Sequence, residues 1–162
     1  MTYPKPAYLD GKPKMLFIDG KHVPSLSGRT FAAHNPATGE KLADIALAGA
    51  EDVNLAVQAA RAAFEGPWSS FTPAARQEIL LKLADLVDRE WEELALIDTL
   101  EMGRPITPSR SMRSMVIRLI RYFAGAATAI TGHSYANSFP IELQSFSVRE
   151  PIGVVGAITP WN

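Results

Sequence analysis

The sequence predicts an α/β fold, because an apolar strand pattern near residue 160 follows a series of amphipathic helical patterns. Residues 154–158 are uncharged and rich in β-branched side chains, and Gly153 and Pro160 flank them, which is typical of a strand buried on both faces of a sheet. Between residues 53 and 123, apolar residues recur at steps of three and four, as on one face of a helix. Buried strands combined with such helices indicate the α/β class.

Composition narrows the class of protein. The chain has 162 residues, 47% of them hydrophobic and 20% charged, which is typical of a globular domain. The formal net charge of -1 disfavours a nucleic-acid partner, and no run approaches the roughly 18 to 20 apolar residues that span a bilayer. Neither a secretory signal nor a transit peptide is recognisable, so we expect a cytoplasmic protein that binds small molecules. The absence of cysteine excludes disulfides, zinc–thiolate sites and thiol nucleophiles within these residues.

The first fifty residues predict an arm followed by short strands. Residues 1–14 are polar and rich in Pro and Lys, and we expect them to form an N-terminal arm. Asp19 and Gly20 suit the positive-φ positions of a tight hairpin between two short strands. The expected extended segments are residues 16–18, 22–23, 31–34 and 41–46, with a turn at 35–39.

Three helical patterns follow. The first must end at Gly66 and Pro67, and the second begins with Thr72 as N-cap and Pro73 at the first helical position. From Trp91 the pattern either extends the second helix or starts a third one, and it stops at Gly103 and Pro105. The apolar stripes are Val53, Ala56, Val57, Ala60, Ala63 and Phe64 in the first helix, and Ile79, Leu80, Leu83, Leu86 and Val87 in the second.

A long helix is predicted over residues 109–131, with Gly132 ending it, and a half-exposed strand over 144–149 that suits a sheet edge or a subunit contact. Four arginines on one face of the helix could bind phosphates or an acidic membrane, but ordinary solvation is the better interpretation, given 16 basic and 17 acidic residues in the chain. Met112 and Met115 on the other face are interpreted as core residues in preference to residues that line a pocket. The apolar face comprises Met112, Met115, Val116, Leu119, Ile120 and Phe123, and the arginines are Arg110, Arg113, Arg118 and Arg121.

Candidate chemistry is concentrated after the last predicted strand. No glycine-rich phosphate loop and no metal-ligand spacing is present, and His22, His34 and His133 lie far apart in the sequence, so we expect no metal site. Ligands collect at the carboxyl ends of strands in open α/β sheets, where Pro160 and Asn162 lie. The residue type leaves two interpretations of Asn162 open: an amide donor to a developing oxyanion, or a chain end without a chemical role.

Residues 150–162 read E-P-I-G-V-V-G-A-I-T-P-W-N and resemble the E-P-x-G-V-x-x-x-I-x-P-W-N hallmark of the NAD(P)-dependent aldehyde dehydrogenase superfamily. The resemblance extends over about residues 15–162. It includes F-I-D-G at 17–20, N-P-A-T-G-E at 35–40, the helix at 51–64 with Trp68, and R-Y-F-A-G at 121–125.

The resemblance implies both a reaction and a set of site residues. In the family a cysteine thiolate attacks the aldehyde, hydride passes to the nicotinamide of NAD or NADP, and a glutamate-activated water hydrolyses the thioester. Asn162 matches the asparagine of the oxyanion hole, and Met115 aligns more weakly with a position that lines the substrate tunnel in some members. The segment matching the wall of the dinucleotide cleft is Ile158, Thr159, Pro160, Trp161 and Asn162.

The resemblance also implies a division of the chain and an incomplete catalytic apparatus. Residues 15–133 match part of the coenzyme-binding domain, 134–149 the oligomerisation hairpin and 150–162 the first strand of the dinucleotide-binding sheet. The family's cysteine and glutamate motifs are not among these residues, so we expect an N-terminal fragment that is inactive alone, marginally stable or prone to aggregate. The whole enzyme is expected to act on a small aldehyde as a dimer or tetramer. The alternative is a non-catalytic assembly or regulatory module that pairs with full-length subunits through residues 144–149.

Overall fold

A computed structural model of the chain describes residues 4–160, which form five α-helices and three separate two-stranded sheets. The strands precede and follow the helices, so the structure combines helices with short antiparallel hairpins. In chain order the elements are β1 (Leu16–Ile18), β2 (Lys21–Val23), β3 (Thr30–His34), β4 (Lys41–Ala46), α1 (Ala50–Glu65), a 3₁₀ turn (Pro67–Ser70), α2 (Pro73–Arg89), α3 (Trp91–Met102), α4 (Ile106–Ser111), α5 (Arg113–Ala126), β5 (Ser134–Tyr135) and β6 (Ser145–Phe146).

The first two hairpins confirm the expected turn chemistry. Asp19 and Gly20 both have positive φ, at 53° and 70°, and join β1 to β2 in an antiparallel pair. Strand β3 pairs with β4, and the turn between them is closed by Asn35, whose side-chain oxygen accepts a hydrogen bond from Ala37 N at 2.9 Å.

The predicted arm packs against the rest of the chain. Pro6 and Leu9 are buried, and Glu93 of α3 accepts a hydrogen bond from Tyr8 N at 2.6 Å. Lys14 adds a parallel bridge to β4, because its N–H donates to Asp44 O at 2.7 Å and its carbonyl accepts from Ala46 N at 2.8 Å. A polar composition concealed these apolar and main-chain contacts.

The end of α1, the start of α2 and the end of α3 lie where their capping residues predict, and a break at Glu90 separates α2 from α3. Gly66 ends α1, and Gly103 ends α3 in the left-handed conformation at φ 80°. The Thr72 side chain accepts a hydrogen bond from Ala75 N at 3.1 Å, with Pro73 at the first position of α2. The core around α3 consists of Ala95, Leu96 and Ile106, with Trp91 and Leu100 packed against it.

The prediction of one long helix over residues 109–131 was wrong. The chain forms α4 and α5 with a break at Met112, and α5 ends at Ala126, before Gly132. Its packed face is also shifted from the predicted one, of which only Met112, Val116 and Ile120 are half-buried. Ile117 and Ala124 are buried where α5 packs along α2, whereas Met115, Leu119 and Phe123 are 48%, 54% and 56% exposed. Both stripes of α5 are apolar, so periodicity alone could not select the inner one.

The predicted strand over residues 154–158 is not formed. No residue from 147 to 160 is in a strand, and Ile158 is fully exposed, where burial on both faces was expected. A parallel strand needs neighbours reached through crossover connections, and the described residues supply none. The expected strand at 144–149 exists only as β6, which pairs with β5.

Candidate functional site

The candidate site is the segment of residues 150–160, which the structure leaves open to solvent. Ile152, Val155 and Ile158 are 94%, 71% and 102% exposed, and Thr159 and Pro160 are exposed as well. None of the main-chain groups of residues 154–160 forms a hydrogen bond with another described residue. Trp161 and Asn162, the predicted cofactor and oxyanion residues, lie outside the described residues.

The first part of this segment faces α1 and the 3₁₀ turn across a cleft. Gly153 has φ 112°, a backbone conformation that residues with a Cβ rarely adopt. The main chain can take this conformation here because the residue is glycine. A cleft of about 460 Å³ separates residues 153–155 from Ala60, Ala63, Phe64 and Trp68. The site therefore has one wall made of apolar side chains, while the part that carries Ile158 to Pro160 is outside this cleft.

A larger cleft of about 810 Å³ adjoins the first, and we call it the Arg76 cleft. The Arg76 guanidinium lies 5.6 Å from the Trp68 ring centroid and donates through Nη2 to Trp68 O at 3.1 Å. Its Nε is buried and has no hydrogen-bond partner among the described residues. The cleft is lined by Phe64, Glu65, Trp68, Ser69, Arg76, Ile130, Arg149, Glu150, Pro151 and Gly153.

Sequence reasoning missed Arg76. The residue lies in the first turn of α2 and is half-buried, and its Nε is covered where the 3₁₀ turn brings Trp68 next to the start of the helix. No spacing rule connects an arginine to a tryptophan eight residues earlier through a bend. The one available local signal was the Thr72-Pro73 cap, which places the helix start next to Trp68.

Met115 is not brought to the terminal segment. Its side chain is 48% exposed on α5, and it lines neither the Arg76 cleft nor the smaller cleft beside it. The described residues therefore give no tunnel at Met115. Its assignment as a tunnel residue remains a prediction.

Three of the four arginines predicted to be solvated form ion pairs between helices. Arg110 binds Glu92, Arg113 Nε lies 2.8 Å from Asp88 Oδ1, and Arg121 Nη2 lies 3.0 Å from Asp85 Oδ1. The hydrogen bond from Arg113 lowers the pKa of the Asp88 carboxyl, and the hydrogen bond from Arg110 lowers the pKa of Glu92. These pairs join α4 and α5 to α2 and α3, so the arginines tie the helices together.

The fourth arginine has its partner within its own helix. Arg118 donates to Ser114 O on its own helix at 3.2 Å. Across residues 4–160, no group of three or more His, Asp or Glu side chains is arranged to hold a metal ion. None of the helices described in this range is long and apolar enough to cross a membrane.

Comparison with known proteins gives the family. A sequence model of the aldehyde dehydrogenase family matches residues 22–162, which is most of the chain. The chain belongs to the aldehyde dehydrogenase family. Among curated members of this family, Aldehyde dehydrogenase 1 of Tanacetum cinerariifolium is 46% identical over 149 residues, covering 91% of this chain and 30% of that protein. The putative aldehyde dehydrogenase DhaS of Bacillus subtilis (strain 168) is 46% identical over 153 residues, covering 92% of this chain and 30% of DhaS.

Solved aldehyde dehydrogenases share the fold of the described residues. The NAD+ complex of the aldehyde dehydrogenase from Bacillus cereus superimposes with a TM-score of 0.77 at 41% identity, covering 82% of this chain and 27% of that one. The α/β class and the identification as a piece of the aldehyde dehydrogenase fold are therefore confirmed. The chain spans about 30% of the length of the curated aldehyde dehydrogenases named here.

Proposed function

We propose that these residues form part of an oxidoreductase that converts an aldehyde to a carboxylic acid with NAD or NADP. The family match over residues 22–162 carries this proposal, because it includes the terminal E-P-I-G-V-V-G-A-I-T-P-W-N segment. The NAD+ bound to the Bacillus cereus relative supports a dinucleotide cofactor. Residues 15–133 and 150–162 contribute to the coenzyme-binding domain, and 134–149 form the oligomerisation hairpin of a cytoplasmic dimer or tetramer.

Residues Ile158 to Asn162 are assigned to one wall of the dinucleotide cleft. The accessible main-chain groups of residues 154–160 and the exposed Ile158 side chain suit contact with a ligand that has both polar and apolar parts. The described residues form a single open wall, so an enclosed site needs additional elements. The bound dinucleotide supplies the hydride acceptor, and the role of this segment is to position it.

The Asn162 side chain is assigned to the oxyanion hole. An amide N–H at the position of the developing oxyanion stabilises the transition state, and removal of such a donor typically slows turnover by about 100- to 1000-fold. The nucleophile must come from elsewhere, because the 162 residues include no cysteine. Met115 is proposed as a tunnel residue for the aldehyde on the same resemblance.

The experiment that tests the proposal measures NADH or NADPH formation from short aldehydes by absorbance. We expect no turnover by the 162-residue chain alone, and turnover when the chain is joined to the remaining part of a relative such as DhaS. Replacing Asn162 by Ala in the joined protein lowers kcat by about two to three orders of magnitude while dinucleotide binding persists. Aldehyde oxidation by the 162 residues alone, or an unchanged kcat in N162A, contradicts the assignment.

A second candidate function is an assembly module that pairs with full-length subunits. The β5–β6 hairpin favours it, because Tyr135, Phe146 and Val148 are 54%, 69% and 68% exposed and β6 leaves one edge unpaired within the described residues. Sedimentation of a mixture of this chain with a full-length relative distinguishes the two candidate functions. A mixed species that forms through the hairpin, and is lost when Phe146 is replaced by Lys, supports the module.

A further inference from the structure

Residues 4–14 connect two parts of the fold that are distant in the sequence, and we call this segment the clasp. Near one end of the clasp, Glu93 of α3 accepts a hydrogen bond from Tyr8 N at 2.6 Å. At the other end, Lys14 pairs in parallel with β4 through two main-chain hydrogen bonds of 2.7 and 2.8 Å. The clasp therefore joins α3 to the strand that leads into α1.

The Lys14 side chain folds back over the clasp. Its ammonium lies 2.7 Å from Asp10 Oδ1 and 4.3 Å from the centroid of the Tyr8 ring. Asp10 Oδ1 also accepts a hydrogen bond from Lys12 N at 3.1 Å, which turns the chain between the two charged partners. The Lys14 side chain is only 12% exposed, whereas that of Asp10 is 43% exposed. Lys14, which binds β4 through its main chain, therefore also contacts the residue that binds α3.

The clasp has the properties of a segment that opens before the rest of a protein. Most of its side chains are exposed, and Pro6 and Leu9 are the two that are buried. Segments with few buried contacts open locally at a low free energy. A partly exposed ion pair and a cation–π contact together shift such an equilibrium by about three- to thirtyfold. The contacts of one lysine side chain are thus large enough to control the opening of the clasp.

We propose that the clasp opens as a single unit, and that the Lys14 ammonium keeps it closed by binding Asp10 and Tyr8. When this cation is released, the contacts with α3 and with β4 are lost together. Asp44 O and Ala46 N then lose their partners in the clasp, while β3 still pairs with the other edge of β4. The clasp thus covers and uncovers a stretch of strand edge to which an extended peptide can add. The inference does not depend on the proposed function, because none of the residues assigned to aldehyde oxidation lies in the clasp.

The test is hydrogen exchange of individual main-chain amides in the 162-residue chain, followed by NMR. We expect Lys14→Gln to raise the exchange rates of the Tyr8 and Ala46 amides by the same factor, about three- to thirtyfold, because one opening exposes both. The Leu47 amide, which donates to Arg29 O at 2.9 Å beside the β3–β4 pair, should keep its rate.

Lys12→Gln is the matched control, because it removes the same charge from the same segment. Lys12 forms no ion pair within the described residues. Lys14→Arg keeps the cation, and both variants should exchange like the unaltered chain. Faster exchange at only one of the two reporting amides, equal acceleration in K12Q, or the same acceleration at Leu47 overturns the inference. A lack of protection of either reporting amide in the unaltered chain also overturns it.

A second variant decides if circular dichroism shows that Lys14→Gln has lost helix. Asp10→Asn weakens the same ion pair from its more exposed side. It should still speed exchange of the Ala46 amide, although the hydrogen bonds of the Asp10 side chain lie within the clasp. An unchanged Ala46 rate in D10N shows that the two ends open separately and contradicts the single opening unit.

Discussion

Asp52 connects the start of α1 to the loop after β2 by two main-chain hydrogen bonds. Its carboxylate accepts from Gly49 N at 2.8 Å, closing the first turn of α1, and from Leu26 N at 2.9 Å. The residue is almost fully buried, and the hydrogen bond from Gly49, followed by that from Leu26, lowers its pKa below the ordinary 3.8. One side chain thus fixes two segments that are 26 residues apart.

Replacing Asp52 by Asn should lower the free energy of unfolding at neutral pH, because a single amide oxygen replaces two carboxylate oxygens. The pH dependence follows from the lowered pKa of the folded state. The stabilisation by Asp52 is present above the unfolded-state pKa near 3.8 and is lost as the pH falls through the lower folded-state pKa. Thermal melts from pH 7 to pH 3 of the wild-type chain and D52N measure this. Parallel curves for the two proteins contradict the role of the carboxylate.

Gly132 is constrained by a close main-chain contact in the β5–β6 hairpin. A Cβ at this position lies only 1.9 Å from Ser147 O, and Ser147 also binds His133 through main-chain and side-chain hydrogen bonds of 2.8 and 3.0 Å. We expect G132A to open the hairpin and cost about 1–3 kcal/mol locally. Exchange of the Ser147 amide, followed by NMR, reports the opening.

Gly125 provides the matched control for this substitution. A Cβ added at this position would meet no atom of another element within 4 Å, and the residue is in the last turn of α5. G125A should therefore stabilise the chain by about 0.4–1 kcal/mol. Destabilisation by both changes, to a similar degree, contradicts the steric explanation for Gly132.

At the scale of elements, local chemistry identified those helix ends that carry a cap, but not the breaks at Glu90 and Met112. Thr72 with Pro73, and Gly103, determine boundaries through their own backbone and side-chain groups, which a sequence displays directly. The face of α5 that packs on α2 and the pairing of residues 154–158 depend on distant partners, which the sequence pattern does not reveal. The same reason explains why the Arg76 cleft was missed, whereas the motif at 150–162 identified the family.

Thr72→Ala tests the contribution of one of these local signals. Loss of the hydrogen bond from Ala75 N should cost about 1 kcal/mol, which lowers the melting temperature by roughly 2–4 °C in a chain of this size. Thr72→Ser keeps the hydroxyl acceptor and should melt close to the wild-type chain. A T72S melt as low as that of T72A indicates that the threonine methyl group, and not the cap, provides the stability.

At the scale of the whole molecule, many large apolar side chains are exposed to solvent and few are buried. The exposed faces of α2 and α5 include Leu83 and Leu86 at 44% and 46%, and Leu119 and Phe123 at 54% and 56%. Only eight hydrophobic side chains in the described part of the chain are buried, four of them alanines: Leu9, Ala46, Ala84, Ala95, Leu96, Ile106, Ile117 and Ala124.

The isolated chain should consequently bind a hydrophobic dye strongly, melt over a broad range and associate with increasing concentration. Dye fluorescence, differential scanning calorimetry and sedimentation velocity measure the three properties. Covering the surface with the complementary DhaS part should reduce dye binding severalfold. A sharp, concentration-independent melt of a monomer contradicts this expectation.

The strands form three separate pairs, and this division determines which parts of the chain unfold together. Apart from the single bridge at Lys14, no described strand has neighbours on both sides, so the loss of one hairpin removes no support from another. Hydrogen exchange should therefore show the three hairpins opening independently and at different free energies, with the slowest amides in α2 and α5. The packed pair α2 and α5 therefore holds the chain together, while each hairpin opens separately. The slowest amide exchange is expected in these two helices.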